Sequence, residues 1–204
     1  MAYNNYRPSR KIPPVVLNLI IINVIVFVAQ LVFDSTLGLT NLFALYPYNS
    51  GMFKPYQLVT HMFTHAPDNF FHIIFNMYAL WLFGSVLERV WGPKKFLIFY
   101  LVCGLAAGLT QMFFVTNAPA IGASGAIMGL LAAFAYTFPN TEFFIIPFPF
   151  PIKAKYMAAI FAAFDLFGGF AGGDNVAHFA HIGGLVMGLI LVIIWNKTDK
   201  KRFY

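Results

Sequence analysis

Four side chains carry the chemistry this sequence offers. Ser124 stands in Ile121-Gly122-Ala123-Ser124-Gly125-Ala126, and His181 in Ala180-His181-Ile182-Gly183-Gly184. A serine hydroxyl is a weak nucleophile until a neighbouring base takes its proton, and histidine is a base suited to neutral pH. His72 and Asn76 stand four apart, which puts them on one face of a helix. Both can donate N–H to an oxygen that gains negative charge, and so can the backbone N–H groups of a helix beginning at Ser124. Nucleophile, base and oxyanion donors make up the equipment of acyl transfer. Singly, each has a plainer reading. A serine at a helix start is commonly a cap, and a lone His or Asn in an apolar helix commonly bonds a neighbouring helix. The question is whether the chain brings the four together.

The elements that must do so are set by composition. Of 204 residues, 60% are hydrophobic, 25 are Phe and only 10% are charged. A soluble domain is about 45–50% apolar and about 25% charged, so a water-soluble globule is excluded, and disorder with it. Six apolar segments of membrane-span character follow: 14–33, 70–87, 96–116, 124–138, 156–170 and 176–195. Turn and breaker residues such as Trp91-Gly92-Pro93, Asn117-Ala118-Pro119 and Gly172-Gly173-Asp174 separate them. The fold class expected is an all-α polytopic bundle in a single domain, 1–204. The first segment is too long for a signal-peptide core and has no small-residue cleavage site behind it. The connection 34–69 is too apolar for a solvated loop and is expected against the bilayer surface.

Charge orients the bundle. Six spans put both termini on one side. That side then holds Arg7, Arg10, Lys11, Arg89, Lys94, Lys95, Lys153, Lys155, Lys197, Lys200, Lys201 and Arg202, against Lys54 alone on the other. The bias marks a cytoplasmic face. The net charge of +6 is its remainder, not a nucleic-acid footprint.

Depth can be counted at about 1.5 Å per residue from the cytoplasmic ends. Ser124 and His181 both come out about 21 Å up, His72 about 24 Å and Asn76 about 18 Å. Three helices therefore deliver four polar groups to one layer. The fourth span is too short to cross alone, so Ser124 should begin it at the floor of a depression. Gly125/Gly129 and Gly184/Gly188 give spans four and six small faces that let backbones approach closely.

The remaining polar residues have plainer expectations. His61 and His65 stand four apart with no carboxylate or thiol beside them, so no metal site is expected. Asp165 is a carboxylate within span five and a conceivable third member of a triad. Counted from Lys155 it lies only about 15 Å up, so a structural hydrogen-bonding role is expected. Glu88 and Arg89 read as local caps, His178 as a partner-seeking polar residue, and Gly104/Gly108 as a helix contact. Cys103 is the single cysteine, which excludes an internal disulfide or a cysteine metal cluster.

Taken in order, His61-x3-His65, His72-x3-Asn76-Met77, Glu88-Arg89…Gly92, Gly122-x-Ser124-Gly125 and Ala180-His181-x2-Gly184-x3-Gly188 resemble the rhomboid family of intramembrane serine proteases in its minimal six-transmembrane form. The resemblance runs from about Tyr56 to Ile190. It implies a Ser–His dyad without a required acid, with Ser124 as nucleophile and His181 as base. His72, Asn76 and the Ser124 backbone N–H would stabilise the oxyanion. It also implies cleavage of transmembrane helical substrates near the outer side of the bilayer, without a cofactor. The chain departs from the family in two places. Tyr56-Gln57 stands where Trp-Arg often anchors the first loop. Met128 stands where an aromatic ring often stacks on the catalytic histidine, so a less rigid His181 is expected. Substrate is expected to pass span five, whose Phe161, Phe164, Phe167 and Phe170 face and Gly168-Gly169 suggest weak packing. A bacterial-type inner membrane is the expected location. The alternative function is a catalytically silent relative that binds client transmembrane helices in the same groove. A channel or proton-coupled transporter is disfavoured by the lack of an internal repeat.

Overall fold

A computed structural model describes residues 11–115, 117–144, 150–172 and 176–198. Arg7, Arg10, Lys200, Lys201 and Arg202 of the charge pattern, and Thr116 at the expected end of span three, lie outside the described residues. Among the described residues, five helices are long and apolar enough to cross a membrane. They are α1 (Pro14–Leu37), α2 (Phe70–Trp91), α3 (Pro93–Phe114), α5 (Ala154–Ala171) and α6 (His178–Thr198). The intervening α4 (Ser124–Thr137) has 14 residues, or about 21 Å of rise, short of a bilayer core of about 30 Å. The fold is an all-α polytopic bundle, and the protein is an integral membrane protein. A two-stranded antiparallel pair, β1 (Glu142–Phe143) with β2 (Ile152–Lys153), is a small addition that the apolar pattern did not foretell.

The short helix is the central one. Every residue of α4 except Ser124 and Tyr136 is buried, whereas α5 is the least buried of the long helices. Its partners reach it through the glycine faces. A Cβ at Gly184 would run into the backbone carbonyl of Gly125, and one at Gly188 into the backbone of Gly129. Without side chains there, α4 and α6 lie backbone to backbone, so a side chain on one can meet a side chain on the other. The Gly104/Gly108 face of α3 behaves differently from expectation. Gly104 receives the Met62 side chain, and Gly108 receives Leu45 and His61. The partner is the long first connection, not another helix.

That connection is a folded unit. It carries the short helices Leu39–Phe43 and Gln57–Thr60 and the 3-10 turns Tyr48–Ser50 and His61–Phe63. Gln57 is its knot. The side chain is 2% exposed. Its Oε1 accepts from the backbone N–H of Lys54 at 3.0 Å and Tyr46 at 3.4 Å, and its Nε2 donates to the carbonyls of Leu42 and Met52 at 3.4 Å each. One neutral amide thus anchors the loop where the resemblance anticipated an arginine. Gln30 of α1 pins the far end: Nε2 donates to the His65 carbonyl at 2.7 Å, and the His65 N–H returns to Oε1 at 3.1 Å.

Glu88 is not a local cap. It is 3% exposed and accepts the N–H groups of Val15 and Val16 at 3.0 and 2.8 Å. The first turn of α1 follows Pro13 and has no side-chain cap of its own, so its orphan donors take a carboxylate from another helix. Arg89 donates to the Lys11 carbonyl at 3.0 Å beside it.

Candidate active site

The loop before α4 sets the position of Ser124. Leu45 and Ala120 exchange backbone hydrogen bonds at 2.9 Å, and the Gly122 N–H donates to the His61 carbonyl at 2.8 Å. The first connection thus fixes residues 120–122 from one side. Gly122 has φ 117°, and a Cβ there would lie 2.8 Å from His72 Nε2. Backbone conformation and lack of space both require glycine. Two residues on, Ser124 opens α4. The first intrahelical bond of this region runs from the Ile127 N–H to the Ala123 carbonyl, so the N–H groups of Ser124, Gly125 and Ala126 have no acceptor within the helix.

Ser124 and His181 meet. Ser124 Oγ lies 2.7 Å from His181 Nε2, across the α4–α6 contact. His181 Nδ1 lies 2.8 Å from Asp165 Oδ1. An ionised carboxylate only accepts, so the imidazole proton belongs on Nδ1 and the Nε2 lone pair faces the serine O–H. The expected hydrogen-bonding role of Asp165 is met, with His181 and also His178, Nδ1 to Oδ1 at 2.8 Å, but the expected depth below the serine is not. The depth count failed because it started every span at one plane and kept each helix upright. The 2.8 Å contact puts the Asp165 carboxylate level with the imidazole, which a count of residues along one helix could not show. Asp165 and His178 are both 4% exposed.

His72 is at the site through its Nε2 edge, beside Gly122 and near Ser124. Its Nδ1 accepts the Ala66 N–H at 3.2 Å, which leaves the ring proton on Nε2, the edge turned to the site. Asn76 is buried one turn below. Its amide donates to the His72 carbonyl at 2.7 Å, and among the described residues it makes no hydrogen bond to Ser124 or His181. His61 and His65 belong to the wall. His61 Nδ1 pairs with the Gln57 carbonyl at 2.7 Å, and the His65 ring lies 5.0 Å from that of His72. Burial pushes His61 down to about 4 and His65 to about 3, so both are neutral at pH 7. Met128 is buried in the core. A small cavity beside Ser124 is lined by Gly104, Ala107, Gly122, Gly125, Ala177 and Ala180, among others.

Among the described residues the one group able to offer three ligating atoms is Asp165, His178 and His181. Those atoms are already engaged with one another. Sequence reasoning underrated Asp165, Gln57 and Glu88, whereas His178 has the polar partner expected of it. An ionisable residue inside an apolar span was the available signal for the first of them.

Comparison with known proteins adds the following. A family model described as Rhomboid domain matches residues 52–197. Rhomboid protein 1, mitochondrial, of Saccharomyces cerevisiae is 30% identical over 72% of this chain and 43% of its own length. Presenilin-associated rhomboid-like protein, mitochondrial, of Homo sapiens is 30% identical over 90% of this chain and 50% of its own. RHOMBOID-like protein 12, mitochondrial, of Arabidopsis thaliana is 27% identical over 93% and 60%. The chain therefore spans about half the length of the curated relatives it matches. Their names place them in mitochondria, which runs against the expectation of a bacterial-type inner membrane.

Proposed function

This chain belongs to the rhomboid family, and from that premise we propose that it is an intramembrane serine endopeptidase acting on transmembrane helical substrates. The observation that carries the reading is the 2.7 Å contact between Ser124 Oγ and His181 Nε2, made by side chains 57 residues apart on two apolar helices. A hydroxyl and an imidazole are otherwise costly in such helices.

In this reading Ser124 Oγ attacks the scissile carbonyl while its proton passes to His181 Nε2. The carbonyl electron pair moves onto oxygen, where the Ser124 and Gly125 N–H groups, His72 Nε2–H and the second Asn76 amide hydrogen stabilise it. His181 then returns the proton to the leaving nitrogen as the C–N bond breaks, and water releases the acyl group. The glycines and alanines beside Ser124 leave room for a small side chain next to the scissile bond. Access past α5 is supported by its sparse packing and by Phe164, Phe167 and Phe170, each more than two-thirds exposed. Gly168 and Gly169 are not slack there, since they seat His178 and Phe179. We place the cation-rich ends, and both termini, on the cytoplasmic face or its organellar equivalent.

The test is cleavage of a single-span substrate in liposomes by the wild type and Ser124→Ala. We expect cleavage and fluorophosphonate labelling by the wild type alone. Equal cleavage by both would sink the protease reading and favour a client-binding role.

A further inference from the structure

We propose that Asp165 is a positioning residue that extends the Ser124–His181 pair into a three-membered hydrogen-bonded chain, with His178 as a second donor that holds the same carboxylate. The inference rests on the serine endopeptidase reading and deepens it.

Asp165 sits on a helix whose other faces are Phe-rich and exposed, yet it is buried itself and turned inward. A carboxylate inside a membrane span is costly unless partnered. Here a single oxygen, Oδ1, takes two imidazole donors at 2.8 Å, His181 Nδ1 and His178 Nδ1. Gly168, one turn along α5 from Asp165, lies so close to the His178 ring that a Cβ would collide with Nε2 and Cε1. The same face of α5 thus supplies both the acceptor and the space for the second histidine. The arrangement fixes three things about His181. Its proton is kept on Nδ1, so Nε2 remains a base toward Ser124. Its ring is oriented by a hydrogen bond, a role that Met128 leaves to another group. The imidazolium formed when Ser124 gives up its proton faces a carboxylate, which stabilises it without taking the proton.

His178 competes for the charge that stabilises His181. Three titratable groups face His181: Asp165 from α5, His178 from its own helix and His72 from α2. From α3 the neighbour is the uncharged Gln111, which accepts the Ala180 N–H at 3.1 Å.

The experiment measures kcat and KM for a single-span substrate against pH, in liposomes, for the full chain and for Ser124→Ala, Asp165→Asn, Asp165→Glu and His178→Leu. Thermal unfolding checks each fold. Fluorophosphonate labelling over the same pH range reports the midpoint where cleavage is too slow. Asp165→Asn should lower kcat by roughly 10²–10⁴-fold with KM within about 2-fold. It should also move the acid-side midpoint to lower pH, because the imidazolium loses its counter-charge. Asp165→Glu should recover part of the rate. His178→Leu should move the midpoint up, because the carboxylate then serves His181 alone. An Asp165→Asn midpoint equal to that of the wild type overturns the inference, whatever the rate. A wild type no faster than Ser124→Ala overturns the protease reading itself, and this inference with it.

Discussion

His181 is held at both ring nitrogens, Nδ1 by Asp165 and Nε2 by Ser124, the arrangement that the proposed base requires. His72 is treated similarly, with Nδ1 engaged by a backbone N–H and Nε2 left toward the site. Asn76 has spent one amide hydrogen on the His72 carbonyl and keeps the other. A donor of that kind acts chiefly on the developing oxyanion, so Asn76→Ala should lower kcat by about 10–10³-fold and leave KM within a few-fold. Steady-state cleavage of the single-span substrate gives both constants. A raised KM at constant kcat would instead assign Asn76 to substrate binding. Ser124, His181 and His72 were legible in the sequence because a polar group in an apolar span stands out against its background. Asp165 stood out equally, but its pairing with His181 did not, because it joins two different helices.

At the scale of elements, the close approach of α4 and α6 decides whether the serine and the imidazole touch. The glycines at 125, 129, 184 and 188 permit it, and their spacing is readable because a helix repeats its faces every three to four residues. Gly184→Leu places a side chain against the Gly125 carbonyl and must push the helices apart. We expect a loss of about 1–3 kcal/mol in stability and a fall in cleavage of about 10²-fold or more, since a displacement near 1 Å misaligns the reacting atoms. Val186→Leu, on the exposed face of α6, should change neither. Cleavage rates and thermal midpoints in detergent check both variants. The element boundaries were read closely because apolar runs end where turn residues begin. What each glycine face would meet was read less well. Gly104 and Gly108 look like a helix-pairing face in sequence and instead receive Met62, Leu45 and His61.

Over the whole molecule, the first connection couples α1, α3 and the loop before α4 through buried neutral groups, among them His61 and His65. Their folded-state pKa values, about 4 and about 3, lie below the ordinary 6.5. The unfolded chain therefore binds more protons between pH 6.5 and those values, and acid favours unfolding. Going from pH 7 to pH 5 should cost about 2 kcal/mol for each group. Thermal unfolding at the two pH values measures the loss, and His65→Leu should remove about half of it.

The sequence alone determined the solvent, the six apolar segments and the choice of Ser124 and His181 as the candidate pair, because hydrophobicity, breakers and helical spacing are local properties that read along one chain. Only the tertiary structure decided what Asp165, Gln57 and Glu88 bond. Glu88 caps a helix 73 residues away, and Asp165 reaches His181 from 16 residues back on a different helix. Such pairings depend on how far one helix slides and tilts against the next. Counting rise along a single helix carries no information about that offset, which is set by the packing of all the helices at once.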